Sequence, residues 1–153
     1  MYIKRIDSTE RYLVVDLFDQ YRVFYNQTSD KALADNYIKQ RLEKNESVIF
    51  VALETINGND FPVGFTQLYP TYSSVRATKN WILNDLFVDA THRKKGIGEQ
   101  LIQAAMQFAK EDNARFLQLE TATDNYNAQR LYESIGFVKQ APEEGFFVYR
   151  IEL

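Results

Sequence analysis

The chain has 153 residues, a formal net charge of −3, one histidine and no cysteine. This length suits one ordinary domain, and the composition excludes disulfides, thiolate metal sites and a cysteine nucleophile, while one imidazole argues against a histidine metal cluster. The acidic balance, the absence of a membrane-length apolar run and the polar N-terminus predict a single soluble domain, residues 1–153, in the cytoplasm, without nucleic acid, membrane or metal as partner.

The first half of the chain predicts a strand, two helices and two further strands. Apolar residues such as Leu13, Leu17 and Tyr21 recur at helical spacing, whereas the strand segments alternate or are rich in β-branched residues. A polar run at residues 56–60 indicates a hairpin connection between the last two strands. The predicted elements are residues 1–6, 8–25 (capped by Ser8 or Thr9), 30–44, 48–53 and 62–69.

The second half predicts a strand, a helix, a strand, a helix and two final strands. The clearest helix has an apolar stripe with a period of 3.6 residues, and Gly136 is a typical end for the last helix. The predicted elements are residues 81–88, 96–112, 115–121, 125–135, 137–139 and 146–151, the last two joined by residues 141–145. This order describes an α/β protein whose mixed sheet carries helices on both faces.

A basic, glycine-containing turn joins the strand at 81–88 to the helix that follows. Its sequence is Arg93-Lys94-Lys95-Gly96-Ile97-Gly98. Free backbone N–H groups at a helix N-terminus attract anions, and glycines let an anion approach them, which predicts a phosphate or pyrophosphate site. A solvated turn, with the glycines serving only backbone geometry, is the alternative, and His92 is interpreted as a solvated loop residue.

Two motifs in this half resemble those of the GCN5-related N-acetyltransferases, the GNAT family. Residues 93–98 fit its Gln/Arg-x-x-Gly-x-Gly/Ala pattern, directly after the strand that ends in Asn-Asp-Leu-Phe-Val. Residues 125–137 fit its second pattern, Asn-x-x-Ala-x-x-Leu-Tyr-x-x-x-Gly-Phe. The resemblance covers nearly the whole chain and is weakest over residues 1–60. Within the family, the sequence is most similar to the Hpa2-like branch.

The resemblance implies acetyl-CoA as co-substrate and no metal. In the family the fourth and fifth strands splay apart, and the pantetheine arm lies against the exposed edge of the fourth strand. A backbone N–H near Leu86 would polarise the thioester carbonyl. The implied cofactor-binding residues are Leu86, Phe87, Val88, Arg93, Lys94, Lys95, Gly96, Ile97, Gly98, Asn125 and Tyr132.

The resemblance also gives Tyr132 a catalytic role. It matches the family tyrosine that protonates the departing CoA thiolate, and a phenol held close to the sulfur can do so. A packing role for Tyr132 in the last helix is the alternative. Asn125 is equally interpreted as the N-cap of that helix, which does not prevent contact with the cofactor arm.

The general base is not identified by the motifs. Some relatives carry Glu at the position of Asn84, and an amide cannot accept the amine proton. Asp85 and Glu120 are the nearest carboxylate candidates, with loss of the proton through water as the alternative. Strict alternation would place Asp85 on the sheet face opposite Asn84 and Leu86, which would make it a structural carboxylate.

The acceptor pocket is predicted beside the first two helices. Tyr21, Phe24 and Tyr25 form an aromatic cluster with Asp30 nearby, and Asn84 is expected to contact the substrate. Aromatic rings near carboxylates suit an amine through cation–π contacts and ion pairing. Three further aromatic residues are expected to face the pocket from the sheet or else to pack in the core or at a dimer contact; these are Tyr69, Tyr72 and Trp81.

The predicted activity is direct transfer of an acetyl group from acetyl-CoA to a primary amine. The acceptor would be a small molecule of the polyamine or amino-acid type, or a lysine-like group. Two alternatives remain open: a non-catalytic acyl-CoA-binding module, suggested by Asn84, and a histone-type protein lysine acetyltransferase. The aromatic segment 146–149 makes a homodimer a further expectation.

Overall fold

A computed structural model of the chain describes residues 1–141 and 145–153. The described residues form two compact units, Met1–Glu120 and Thr121–Leu153. The first unit contains the sheet and three α-helices, and the second contains one α-helix. The assignment of residues 1–153 to a single domain stays a prediction.

The first unit is built on a five-stranded mixed sheet, as predicted. Its strands lie in chain order, with the first four antiparallel and the last pair parallel. Asn57 and Gly58 have φ angles of 52° and 78° and form the two-residue turn of the predicted hairpin. The strands are β1 (Tyr2–Arg5), β2 (Val48–Ile56), β3 (Asn59–Ser73), β4 (Thr78–Val88) and β5 (Leu117–Gln118).

The helices of this unit are α1 (Val15–Phe24), α2 (Lys31–Glu43) and α3 (Ile97–Glu111). The prediction of one helix over residues 8–25 is wrong, because a 3-10 helix, Ser8–Leu13, precedes α1. The two meet at Val14, which ends the first and caps the second with φ of −119° and ψ of −20°, and whose side chain is fully buried. The cap is Asp7, which accepts a hydrogen bond from the Thr9 amide, 2.8 Å away.

Helices cover both faces of the sheet, as the element order indicates. Phe65 of β3 packs against the rings of Phe18 and Tyr21 in α1. Its neighbour Gly64 points the other way, where an added Cβ would lie 3.4 Å from Leu101 of α3 and 2.9 Å from the Phe87 carbonyl oxygen. Since adjacent strand residues face opposite sides, α1 and α3 lie on opposite faces.

A β-bulge at Asn84 changes which face β4 presents to each helix. Gln67 pairs with Asp85 and Leu68 pairs with Leu83, so Asn84 is the extra residue on β4. Before the bulge, Trp81 packs against Phe108 of α3. After it, odd-numbered residues of β4 face α1 instead, and Asn84 and Asp85 share one cleft. The expectation of strict alternation through residues 84 and 85 is therefore wrong.

The second unit contains α4 (Tyr126–Ile135) and the chain that follows it. Its predicted ends are confirmed: the Asn125 side chain accepts a hydrogen bond from the Ala128 amide at 3.2 Å, and Gly136 adopts a left-handed φ of 116°. Both are standard terminating features of an α-helix. The four positions of α4 predicted to face inward are half-buried: Ala128, Leu131, Tyr132 and Ile135.

The two C-terminal strands predicted at 137–139 and 146–151 are not formed in the described residues. A strand requires a hydrogen-bonded neighbour, and none of the described strands pairs with these segments. Phe147 and Val148 are 88% and 92% exposed. Of the predicted connection 141–145, residues 142–144 lie outside the described residues.

Candidate functional site

The far half of β4 has one edge without a strand partner in the part of the chain that the structure describes. β5 pairs with β4 only at Trp81 and Ile82, whereas β4 continues to Val88. The divergence of the fourth and fifth strands is thus present in the structure. Peptide-like ligands bind such edges through backbone hydrogen bonds.

The orientation of the backbone shows which N–H groups face that edge. The Asp89 amide donates to the Val63 carbonyl of β3 at 2.9 Å. Since N–H direction alternates along a strand, the amides of Asp85 and Phe87 also point to β3, and those of Leu86 and Val88 point to the free edge. Leu86 therefore has the backbone orientation that an oxyanion donor on this edge requires.

The turn before α3 leaves the first amides of the helix without a side-chain cap. Gly96 is the N-cap residue in a left-handed conformation, with φ of 76°, and makes no side-chain cap. A Cβ built on Gly96 meets no atom within 4 Å, so the space beside the backbone is open. Free amides at a helix start, with space beside them, fit the pyrophosphate of a nucleotide ligand.

The basic residues of this turn have different surroundings. Arg93 donates through Nε to the Val88 carbonyl oxygen at 3.1 Å, and its guanidinium lies about 6 Å from the rings of Phe24 and Phe87. Lys94 and Lys95 are exposed, and Lys94 has a positive φ of 63°. The lysines are thus available to an anion, while Arg93 also connects β4 to the turn.

His92 is more ordered than the expected solvated loop residue. Its ring nitrogens lie 2.9 Å from Asp89 Oδ1 and 3.0 Å from Glu54 Oε2. The pKa of Asp89 is lowered to about 2, mainly by the hydrogen bond from the Thr91 side chain and then by the one from His92. This cluster secures the short 3-10 helix Ala90–His92 that leads into the turn.

A cleft of about 300 Å³ lies between the first two helices and the sheet. It is open to solvent and mostly aromatic, with one carboxylate and one guanidinium in its wall. The hydroxyl groups of Tyr37 and Tyr69 are 2.7 Å apart, and burial is the main cause that raises the pKa of Tyr69. The lining residues are Phe18, Tyr21, Arg22, Leu33, Tyr37, Tyr69, Asn84 and Asp85.

Asp85 is the buried carboxylate of this cleft, with only 3% of its surface exposed. Oδ2 accepts a hydrogen bond from Gln67 Nε2 at 2.6 Å, and Oδ1 accepts one from Asn84 Nδ2 at 2.8 Å. Burial raises the pKa of Asp85, against the opposing effect of its hydrogen bonds to Gln67, Asn84 and Tyr21. A carboxylate with a raised pKa in a cleft is suited to accept a proton.

The structure separates the predicted acceptor residues into two groups. Tyr21 and Asn84 line the cleft beside Asp85. Phe24 and Tyr25 pack edge to face, with ring centroids 5.2 Å apart, and are 63% and 59% exposed, at the end of α1 and outside the cleft wall.

Of the three sheet aromatics expected at the pocket, Tyr69 lines the cleft, whereas Tyr72 is largely exposed. Trp81 takes the alternative of core packing: it is buried against Phe108, and its Nε1 donates to Asp112 on the α3 face.

Glu120 lies apart from this arrangement. It is exposed, follows the end of β5, and is not among the residues that line the cleft. Tyr132 belongs to the second unit, where its ring centroid is 6.0 Å from that of Phe137 and the Phe137 amide donates to its carbonyl oxygen. The roles of both residues stay predictions.

Sequence reasoning did not name four residues of the cleft wall, which are Phe18, Arg22, Leu33 and Tyr37, nor did it name Gln67, which donates to Asp85 but is not a lining residue. Arg22 is four residues after Phe18 and three before Tyr25, so a cation on the aromatic stripe of α1 was a visible signal. Gln67 carried no such signal. It accepts a hydrogen bond from Ser47 Oγ at 2.8 Å while it donates to Asp85, a relation that depends on the pairing of β3 with β4.

The described residues contain neither a metal-binding cluster nor a membrane-spanning helix. Within residues 1–141 and 145–153, no three His, Asp or Glu side chains are grouped so that they could hold a metal ion. No α-helix in the described part of the chain combines the length and apolar character needed to cross a membrane.

Comparison with known proteins gives a consistent result. Residues 12–137 match the acetyltransferase (GNAT) family. The chain is 44% identical over 149 residues to the uncharacterized N-acetyltransferase YhfO of Bacillus subtilis, covering 97% of this chain and 95% of that protein. It is 30% identical over 135 residues to a probable acetyltransferase of Haemophilus influenzae, covering 88% of each.

Solved structures agree with these sequence matches. The fold is similar to that of a crystal structure of a probable acetyltransferase, with a TM-score of 0.88 and 33% identity. This similarity covers 100% of both chains. Both the sequence and the three-dimensional arrangement thus lead to the same family.

Proposed function

This chain belongs to the GNAT family of acetyltransferases, and on that premise we propose that it acetylates a primary amine held in the aromatic cleft, with Asp85 as the proton acceptor. The proposed acceptor is a small molecule of the polyamine or amino-acid type, or a lysine-like group. The observation that carries the proposal is the buried Asp85 in the cleft wall, one residue before Leu86, whose N–H faces the free edge of β4.

Acetyl-CoA is the proposed co-substrate, and it supplies an acyl carbon activated as a thioester. The uncapped amides and exposed lysines at the start of α3 suit its pyrophosphate, and the free edge at Leu86 and Val88 suits its peptide-like arm. The Leu86 N–H would polarise the thioester carbonyl, a type of contact worth roughly 2.7–4 kcal/mol in acyl transfer. Asn125 and Tyr132 enter the proposal through the family motif.

The proton balance assigns a task to each polar group. The acceptor ammonium loses one proton to the Asp85 carboxylate, which leaves a lone pair on nitrogen. A C–N bond then replaces the C–S bond, whose electron pair leaves on sulfur. The nitrogen loses its second proton to water, and sulfur gains one from the Tyr132 hydroxyl, which takes a proton back from water. Asp85 then returns its proton to solvent. The products are the N-acetyl amine, the free thiol of CoA and one proton released to solvent.

Asp85 supports this proposal more strongly than Glu120 does. Its side chain lies in the cleft and is oriented by Gln67 and Asn84, while Glu120 is exposed and outside the cleft wall. The non-catalytic alternative came from Asn84, which replaces a family glutamate. In this chain the bulge brings a carboxylate from the next position into the same cleft, and this removes the motive for that alternative.

The test is to incubate the protein with acetyl-CoA and an amine panel while free thiol is measured. The panel contains polyamines, amino acids and a lysine-rich peptide. We expect amine-dependent thiol release with at least one small amine. Release only with the peptide would favour protein acetylation, and no release above background with any amine would contradict the proposed function.

A further inference from the structure

Arg22 is a cation in the wall of the cleft that the proposed reaction does not use. It lies in the last turn of α1 and shares the cleft with Asp85. Its Nη1 atom is buried and has no hydrogen-bond partner among the described residues. A charged group with an unpaired buried donor is incompletely compensated by the protein, so an anionic ligand group in the cleft that pairs with the Arg22 guanidinium would be bound favourably.

Asp19 is a carboxylate that interacts electrostatically with Arg22, but its hydrogen bonds are made by other groups. It accepts them from the Ser29 hydroxyl at 2.6 Å and from the Asp30 amide at 2.8 Å. Arg22 contributes to the lowered pKa of Asp19 only through its charge. By contrast, Arg11 donates directly to Asp35 at 2.8 Å. Arg22 thus keeps an unpaired N–H donor, whereas Arg11 is paired with a carboxylate of the protein.

We propose, on the basis of the proposed function, that Arg22 selects acceptors that carry a carboxylate in addition to the amine. The substrate class is therefore the amino acid rather than the polyamine. A guanidinium is always charged, and its planar set of donors matches a carboxylate with two parallel hydrogen bonds. The amine of the same molecule is left for Asp85, the opposite charge in the cleft.

The charges of the cleft also exclude the competing class. A polyamine carries an ammonium group at each end, so binding one end at Asp85 leaves another cation in a small cleft that contains Arg22. The remaining wall is largely apolar or aromatic, for example Phe18 and Leu33, and among the lining residues only Asp85 carries a carboxylate, so none is left for the second ammonium. The volume of about 300 Å³ is at the lower end of the roughly 300–1,000 Å³ of small-molecule sites.

The experiment compares amines that differ only in the carboxylate. Phenylalanine is paired with phenethylamine, and lysine with cadaverine, at saturating acetyl-CoA. In the wild-type protein we expect the carboxylated member to have the higher kcat/KM. In Arg22→Gln we expect its kcat/KM to fall by about 10–100-fold, with little change for the decarboxylated member. Arg22→Lys should keep part of the preference, because it keeps the charge but loses the planar set of donors.

Arg11→Gln is the matched control, since Arg11 is paired with Asp35 outside the cleft. It should retain the wild-type preference. An equal loss for both members of a pair in Arg22→Gln, or a wild-type enzyme that prefers cadaverine to lysine, would overturn the selection by Arg22. The comparison is made within each pair, so a general loss of activity does not imitate the expected result.

Calorimetric titration of the same amines in the presence of CoA separates recognition from turnover. Binding that depends on the carboxylate and is lost in Arg22→Gln supports the inference even without turnover. Equal binding of both members to the wild-type protein overturns it. Absence of thiol release with every amine contradicts the proposed function alone, because the binding comparison still decides the role of Arg22.

Discussion

At the scale of single residues, Asp85 combines burial with hydrogen bonds from Gln67, Asn84 and Tyr21. Ser47 donates to Gln67, and Gln67 donates to Asp85, so the carboxylate is held by a chain of buried groups. Such a chain restricts its orientation while burial keeps its proton affinity high. These are the two properties that a proton acceptor for an amine needs.

Replacement of Asp85 by asparagine should separate activity from stability. We expect Asp85→Asn to lower kcat/KM by about 10²–10⁴-fold, because an amide cannot accept the amine proton. In the wild-type enzyme kcat/KM should rise with pH as Asp85 ionises, and the variant should lack this contribution. The measurement is kcat/KM for one amine over a pH series with both proteins. An unchanged rate in the variant would exclude Asp85 as the base.

The same substitution should also change how the stability of the protein depends on pH. Folding raises the pKa of Asp85 above its ordinary value of 3.8, so its contribution to the free energy of unfolding decreases as the pH rises from about 3.8 through the raised pKa. The stability of Asp85→Asn relative to the wild-type protein should therefore increase over that interval. Denaturant unfolding at pH 4 and pH 7 measures the difference. A relative stability that decreases with pH would contradict the raised pKa.

At the scale of elements, the functional features gather where β4 ends and α3 begins. In the part of the chain that the structure describes, β4 has no strand partner on this edge beyond Ile82, and α3 starts at a glycine without a side-chain cap. The intervening turn is secured by Asp89 and His92. The strand, the turn and the helix start thus form one continuous surface of backbone N–H groups and lysine side chains.

A negative charge at the start of α3 should prevent binding of CoA. Gly98→Glu places a bulky carboxylate in the first turn, where it repels the pyrophosphate and competes for the helix amides. We expect the Kd for CoA to rise by at least about 100-fold while the circular dichroism spectrum is unchanged. Gln107→Glu adds the same charge on an exposed position of the same helix and should bind CoA normally. Unchanged affinity in Gly98→Glu would rule out this anion site.

The stabilisation that Asp89 gives as the N-cap of the preceding 3-10 helix, Ala90–His92, should depend on pH. Asp89 accepts hydrogen bonds from the Thr91 amide and hydroxyl, and its pKa is lowered to about 2. Its stabilising contribution is present above the ordinary value of 3.8 and is lost as the pH falls through about 2. Asp89→Ala should lower the free energy of unfolding by about 1 kcal/mol at neutral pH.

Denaturant titrations of the wild-type protein and of Asp89→Ala measure this contribution. The difference in free energy of unfolding should shrink between pH 4 and pH 2. A difference that stays constant over this interval would show that the charge of Asp89 does not contribute.

At the scale of the whole molecule, each of the two units contains one of the family motifs. The basic turn lies in Met1–Glu120, and the motif with Asn125 and Tyr132 lies in Thr121–Leu153. The role of Tyr132 as the proton donor to sulfur therefore depends on the family resemblance. The homodimer expected from the aromatic segment 146–149 likewise stays a prediction.

Removal of the Tyr132 hydroxyl tests that role directly. Tyr132→Phe keeps the aromatic ring and should lower kcat by about 100-fold or more, because the leaving thiolate loses its proton donor. The Kd for CoA, measured by calorimetry, should remain within about twofold of the wild-type value. A normal kcat would show that the thiolate takes its proton elsewhere, and Tyr126→Phe, an exposed position on the same helix, serves as the control.

Most of the fold was predictable because its signals are local. The apolar run of β2, the stripe of α3, the Asn125 cap and the Gly136 end each depend on residues within a few positions of one another. The break at Val14 was not predictable, since it follows from burial against the completed core. The prediction of the last two strands was wrong for a related reason. An aromatic segment has strand propensity, but a strand also needs a neighbouring strand to pair with.

The family, the basic turn at 93–98 and the candidate carboxylates follow from the amino-acid sequence alone, because motifs are read from residue types at fixed spacing. Which carboxylate and which cation share a cleft depends on the three-dimensional fold. Asp85 enters it because the pairing of β3 with β4 contains a bulge at Asn84, and Arg22 meets it because α1 packs on that face. Register and packing are set by contacts distant in the chain, which spacing along one strand or helix does not contain.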